Sequence, residues 1–483
     1  MSFYKSMEQV LEFKGKKVFI APYTPKTTMF AQELHKQHEF EFLGYLDSFQ
    51  TAPYVTKPKE VTADYDVVLI LSVNHGDAIY ESLQKTLQKY KLVKVVPTSS
   101  GYKYLTSEEA DASLQVYKAT KQKQSFLHLL AKVYDRISFN RTKLVFVSKG
   151  SITSNNKALY VHCIREKLDV IMLTDNKEQL QTLQSMQLPA VELESYQAYT
   201  LLARAKFVIQ DQANITEEIN LLSPKQKTLQ MWHGIPLKRL NKLTTVSYDY
   251  LVSTSDFVNE TTLSKVIQAK EYKDFGYPRN DLLLKKKHDE YDLLFCDTAM
   301  YKLAQKNFGT EHKTILYMPT HRESQEASHI PLDFASLNTF LADNSMTLIL
   351  KLHHFVEKLY SHKKSYSNIL FHSTHGDVYP LLKYTDILIT DYSSVYFDFM
   401  LLERSIIFFD YDREEYEVNM QGFLYDYEEF TPGVHTKNQV ELHKVLKNVE
   451  CNNDENLSSK LYSYIDSSAS QRIHKEILKE AKF

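Results

Sequence analysis

The run MWHGIPLKRLN, from Met231 to Asn241, sets a titratable imidazole beside a turn and two cations. His233 follows the only tryptophan of the chain, Gly234 allows a tight turn or a close backbone approach to a ligand, and Pro236 permits helix entry with Lys238 and Arg239 in the next turn. Such a grouping suits an anion-handling active site. Further along, MPTHRE offers Thr320 and the Arg322 guanidinium, whose planar fork engages two phosphate oxygens together or pairs with Glu323 at the surface. KLHH brings Lys351 and His353, readable as charge near phosphate or as a core-edge lysine and a structural histidine. In TDYSSVYFDF, Asp391 ends an apolar run and Ser393 and Ser394 fall where a helix begins. Free N–H groups, the positive dipole end and the hydroxyls favour phosphate there, although Asp391 or Ser393 is equally a helix cap. Arg279 after Pro278 either reaches a cleft or ties down a loop.

These residues need strand ends to hold them. Short runs rich in valine and isoleucine alternate with amphipathic segments, the pattern of parallel sheets with crossover helices, and they fall into three groups. The first holds KKVFIA (Lys16 to Ala21), FLGYLD (Phe42 to Asp47), DVVLILS (Asp66 to Ser72) and VKVVP (Val93 to Pro97). Its first turn, APYTPKTT, lacks the glycines of a dinucleotide cradle, so this small Rossmann-like sheet reads as an accessory domain. A helical connector, Ser107 to Ile137, follows. The second group holds KLVFVS, DVIMLT, AKFVIQ and KTLQMW, and the third YDYLVST, KTILYMP, MTLILKL, TDILIT and SIIFFD. Open sheets bind ligands at the carboxyl ends of their strands, and His233, Thr320, Arg322, His353 and Asp391 to Ser394 all follow such ends. A C-terminal helix is expected from about Asn456 to Lys482, packing on the lobes.

Composition narrows the function classes. Length, 483 residues, calls for two or three α/β units. With 58 basic and 60 acidic residues and a net charge of -2, no global field favours nucleic acid. Three scattered cysteines indicate neither a disulfide framework nor a zinc site, which fits a reducing compartment. The start of the sequence shows no apolar signal segment, and the apolar runs are strand-sized, so neither secretion nor a membrane span is expected.

Seven blocks, in order, resemble the CDP-glycerol:poly(glycerophosphate) glycerophosphotransferases, the polymerases and primases of teichoic acids and related capsules. They are VSKGSITSNNKALY (Val147 to Tyr160), QMWHGIPLK (Gln230 to Lys238), FGYPRND (Phe275 to Asp281), YMPTHRE (Tyr317 to Glu323), KLHH, TDYSSVYFDFMLLERSIIFFDYDREEY (Thr390 to Tyr416) and GFLYDYEEFTPG (Gly422 to Gly433). The likeness runs from about Thr142 to about Lys447. One departure is His354, where the family usually has proline; either histidine can then face the cleft, and the spacing from Lys351 favours His353.

The resemblance implies a GT-B transferase of two facing Rossmann-like lobes behind an additional N-terminal domain. The expected divisions are 1–125 for the accessory domain and connector, 126–245 for the acceptor lobe and 246–483 for the CDP-donor lobe. It implies transfer of glycerol phosphate from CDP-glycerol to a hydroxyl of a growing polymer or its lipid-linked primer, with release of CMP. His233 would be the general base, with His353 and Arg322 stabilising phosphoryl charge. Gly234, Arg279, Thr320, Lys351, Asp391, Ser393 and Ser394 would bind substrate. Glu428 and Glu429 read as loop-ordering or as partners for ligand hydroxyls, and Gly150, Asn155 and Asn156 as a lobe's first turn, where the acceptor enters. No metal or cofactor is implied. A lipid-linked acceptor places the enzyme peripherally on the inner face of the cytoplasmic membrane, and a second copy of the chain is a further candidate partner. The alternatives are a CDP-ribitol ribitolphosphotransferase, a nucleotide-sugar glycosyltransferase or epimerase, and a non-catalytic polymer-binding assembly protein.

Overall fold

A computed structural model describes residues 13–24, 27–28, 40–72, 75–98, 101–137, 141–152, 154–212, 222, 225–240, 246–320, 322, 330–352, 366–373, 376–419, 422–448 and 454–481. They form two compact units, Met1–Phe126 and Leu127–Phe483.

The first unit is built on β1 (Lys17–Ala21), β2 (Glu41–Leu46), β3 (Val55–Thr56), β4 (Val67–Leu71), β5 (Leu92–Thr98) and β6 (Gly101–Leu105), in the order β3-β2-β1-β4-β5-β6. All pairs are parallel except β5 with β6, a hairpin that the sequence reading did not anticipate. Alternation along β1 explains why its run is apolar throughout. Val18 and Ile20 enter one core with Phe40 and Leu69, while Phe19 and Ala21 enter another with Val68, Tyr80 and Leu114.

The second unit contains two sheets, and every strand pair in them is parallel. The first has β7 (Lys143–Ser148), β8 (Val170–Thr174), β9 (Ala190–Glu192), β10 (Ala205–Gln210), β11 (Lys227–Gln230), β12 (Ser247–Val252) and β13 (Gln268–Lys273), ordered β13-β12-β11-β10-β7-β8-β9. The second has β14 (Lys313–Met318), β15 (Met346–Leu350), β16 (Ile369–Phe371), β17 (Ile387–Thr390), β18 (Ser405–Phe409) and β19 (Val434–Thr436), ordered β16-β15-β14-β17-β18-β19. Both are doubly wound, with order reversing at β7/β10 and at β14/β17. This is the two-lobed GT-B arrangement, accompanied by the additional Rossmann-like unit.

Two expectations are corrected. The run Tyr248 to Thr254 does not open the last sheet: as β12 it pairs with β11, Leu229 opposite Tyr250, so the expected division at 245/246 falls inside the first sheet. A strand of a parallel sheet carries no local mark of which of two such sheets it joins. The single C-terminal helix is instead two, Glu455–Leu461 and Ala469–Glu476, with a short turn of helix at Leu478–Ala481. Asp466 accepts from Ser468 N in the break, and the Asp281 carboxylate caps the second helix by accepting from Ala469 N and Ser470 N. Ile473, Ile477 and Leu478 join the core of the first lobe with Phe146 and Leu159, whereas Leu457 and Leu461 join the core shared with Tyr396 and Phe397. Among the described residues, no helix is long and apolar enough to cross a membrane.

Candidate active site

The chain leaves β11 through a tightly braced turn. Trp232 takes a left-handed φ of 51° and Gly234 a φ of 139°. Two side chains fasten the first of these: Gln230 Oε1 accepts from Trp232 N at 2.8 Å, and Asn155 Nδ2 donates to Trp232 O at 2.8 Å. The Trp232 ring is buried and lies 3.9 Å from the His233 ring, centroid to centroid, leaving the imidazole exposed. His233 Nδ1 is 3.4 Å from Asp211 O. A carbonyl only accepts, so Nδ1 carries the proton and Nε2 keeps a lone pair. Crowding by protein atoms and the charge of Arg279 lower the His233 pKa to about 4, against the opposing pull of the Asp211 carbonyl. The ring is therefore neutral near pH 7.

Arg279 explains the close approach at Gly234. Pro278 opens the helix Pro278–Leu284, and Arg279 N donates to Asn155 Oδ1 at 3.1 Å. Its guanidinium donates to His233 O at 2.6 Å and pairs with Asp398, which also accepts from Tyr379 OH at 2.6 Å. The buried fork thus braces the His233 turn against the second lobe's helix Val395–Met400, and the loop-tying reading is the one its contacts match. A Cβ on Gly234 would lie 2.8 Å from Arg279 Nη2 and 3.4 Å from Ser394 Oγ. That packing sets the histidine turn of one lobe against the serine turn of the other.

At the β14/β17 switch point, buried Asp391 accepts from Thr320 N at 2.8 Å, from Tyr392 N and from Arg322 Nη1 at 2.8 Å. Arg322 also grips Asp412 with two bonds, at 2.7 and 2.8 Å, and its Cζ lies 4.9 Å from the Tyr392 ring centre and 5.0 Å from that of Tyr416. With its side chain only 5% exposed, Arg322 is an internal brace whose fork is occupied by carboxylates. Ser393 and Ser394 differ. Both are half-buried, and Ser394 stands at the helix cap position without making a side-chain cap bond. No described residue bonds either hydroxyl, so both remain able to donate. Buried Thr320 Oγ1 is likewise without a partner among the described residues.

The other expected residues lie elsewhere. Lys351 Nζ donates to Ser373 O at 3.1 Å and Gly376 O at 3.0 Å. Exposed Glu428 pairs with Arg413 and Glu429 with Lys460 at 3.4 Å, which suits loop ordering. Asn156 is buried, with its amide bonded to Val147 O and Ser148 Oγ, while Gly150 lies in a turn. His353 and His354 fall outside the described residues. Among those described, no group of three or more His, Cys, Asp or Glu side chains converges to hold a metal.

Sequence reasoning overlooked the partners. Asp398 and Asp412 stand in the quoted block after Thr390 but were given no role there, and buried Lys157, in SNNKALY, pairs with Asp377 of the other lobe. For Asp398, a charged residue inside the otherwise apolar helix Val395–Met400 was the available signal.

Residues 129–479 match the family described as CDP-Glycerol:Poly(glycerophosphate) glycerophosphotransferase. The chain belongs to this family. As a glycerophosphotransferase-family member it is similar to a teichoic acid poly(glycerol phosphate) polymerase of Bacillus spizizenii, 33% identical over 265 residues, covering 49% of this chain and 65% of the relative. It is also similar to a teichoic acid glycerol-phosphate transferase of Staphylococcus aureus, 30% identical over 369 residues, covering 68% of this chain and 90% of the relative. The chain thus spans under two thirds of the first relative's length and most of the second's. Among solved structures, the wall teichoic acid polymerase TagF aligns with a TM-score of 0.60 at 23% identity, covering 77% of this chain and 96% of that one, a likeness of fold.

Proposed function

We propose that this glycerophosphotransferase-family protein transfers glycerol phosphate from CDP-glycerol to a hydroxyl of a teichoic-acid-like or capsular polymer, or of its lipid-linked primer. The observation that carries the reading is the meeting of the Gly234 turn, which holds a neutral His233 imidazole, with Ser394 at the second lobe's switch point, whose hydroxyl is unpartnered among the described residues. Family membership and relatives named for poly(glycerol phosphate) synthesis support the donor class.

In this mechanism the acceptor oxygen attacks the phosphorus that bears glycerol. His233 Nε2 takes the acceptor proton, a new P–O bond forms in line with the one that breaks, and CMP departs with the bonding electrons. Ser393, Ser394 and Thr320 donate to the donor's phosphates, and His353 is assigned to phosphoryl charge. Rate then depends mainly on positioning and on neutralising charge at phosphorus. A lipid-linked acceptor further implies peripheral attachment to the inner face of the cytoplasmic membrane.

The test is CMP release from CDP-glycerol with a lipid-linked glycerol phosphate primer, run beside CDP-ribitol. His233→Ala should abolish release while leaving donor binding near normal. Retained turnover sinks the role of His233; release from CDP-ribitol alone moves the donor to ribitol. No release from either donor overturns the reading.

A further inference from the structure

Lys238 is a half-buried ammonium without an ion-pair partner among the described residues. Its Nζ makes no hydrogen bond or ion pair with any described residue and lies 5.4 Å from the centre of the Tyr416 ring. Backbone contacts hold it there. The segment after the histidine turn crosses to the second lobe, where Lys238 forms an antiparallel bridge with Phe423, Arg239 N donates to Gly422 O at 3.1 Å and Leu424 N donates to Leu237 O at 2.8 Å. The side chain is thereby fixed beside Asp391 and Arg322, yet Asp391 and Asp412 are already engaged by Arg322.

A cation withdrawn from water beside a carboxylate that another cation already engages is under-compensated, and a ligand anion relieves that. The Ser393 and Ser394 hydroxyls also lack partners among the described residues, and Ser394 Oγ lies against Gly234, four residues before Lys238 in the same segment. We propose that Lys238 is the ammonium that pairs with the phosphate oxygens of the nucleotide-activated donor. The assignment rests on the transferase reading of this cleft.

Burial lowers the Lys238 pKa to about 8, with Asp391 pulling upward and Arg322 pushing further down. Among the described residues, the titratable and charged groups around it are Asp391 after β17, Arg322 after β14 and Tyr416 on the helix Arg413–Asn419. Phosphate affinity should therefore fall as pH rises through about 8. An arginine, with its higher pKa, would retain it.

Calorimetric titration of the full chain with CDP and with cytidine tests the proposal. Lys238→Met should weaken CDP about tenfold or more, the scale of one charge-assisted contact, and leave cytidine within about twofold. Lys238→Arg should keep CDP within about threefold of the parent, and unlike the parent should hold that affinity at about pH 9. Equal CDP affinity in Lys238→Met and the parent overturns the assignment. So does a matching loss of CDP and cytidine in both variants, which marks a structural lysine. A parent chain that binds UDP and not CDP sinks the CDP-donor reading alone, because the same comparison with UDP and uridine still decides Lys238. Binding of neither diphosphate overturns both.

Discussion

His233 sits against Trp232 and near Arg279, and crowding and the Arg279 charge penalise a second proton on its ring by more than the Asp211 carbonyl favours it. If it is the base, activity follows its neutral fraction and is lost as pH falls through its pKa. The acid limb of kcat/KM for CMP release should therefore lie near pH 4, where an ordinary histidine would place it at 6.5. A limb at 6.5 would exclude His233 as the titrating base. Arg322 calls for a different measurement, because its removal strands the Asp391 and Asp412 carboxylates in a buried site. Arg322→Met should destabilise the protein by about 3–5 kcal/mol in urea unfolding, and Arg322→Lys should recover only part, since an ammonium lacks the two-pronged fork. Unchanged unfolding with weakened donor binding would restore a ligand-facing role. The motif advertised this arginine, yet its partner Asp412 lies 90 positions onward and only folding pairs them.

At the scale of elements, the turn after β11 is the part that aligns the chemistry. Gly234 combines a φ of 139° with a neighbour, Arg279 Nη2, that a Cβ would meet at 2.8 Å. Gly234→Ala should therefore cost about 1–3 kcal/mol of stability through backbone strain and contact, and lower kcat by displacing His233 from Ser394. Melting temperature and turnover measured together check this; a parent-like pair of values would mean the turn is tolerant. The WHG spelling made the turn legible, as strand-to-turn alternation made most parallel strands legible. Strand β12 was misassigned because its apolar run fits either sheet equally, and the broken C-terminal helix because a distant carboxylate, Asp281, caps it.

For the whole second unit, the tail and two buried ion pairs bind the lobes together. Arg279–Asp398 and Lys157–Asp377 cross between them, and the last helix returns to the first lobe, where His162 Nε2 faces His474 Nδ1 at 3.3 Å. Burial, with the nearby His474, lowers the His162 pKa from 6.5 to about 4. Its folded-state pKa is below the unfolded value, so the unfolded chain binds more protons between the two. The stabilisation is complete above about pH 6.5 and is lost as pH falls toward about 4. Melting temperature should fall between pH 7 and pH 5, and His162→Phe should flatten that slope. An equal slope in the variant would assign the acid sensitivity to other groups.

The sequence by itself determined the class of fold, the strand ends that carry the site, and the family, because periodicity, turn chemistry and short motifs are local in the chain. Tertiary structure decided what each charged group faces. It committed Arg279 and Arg322 to carboxylates, left Ser393, Ser394 and Lys238 without partners among the described residues, and made the His233 imidazole neutral. Charge pairing and desolvation depend on neighbours brought together from distant positions, and no spacing along the chain records them.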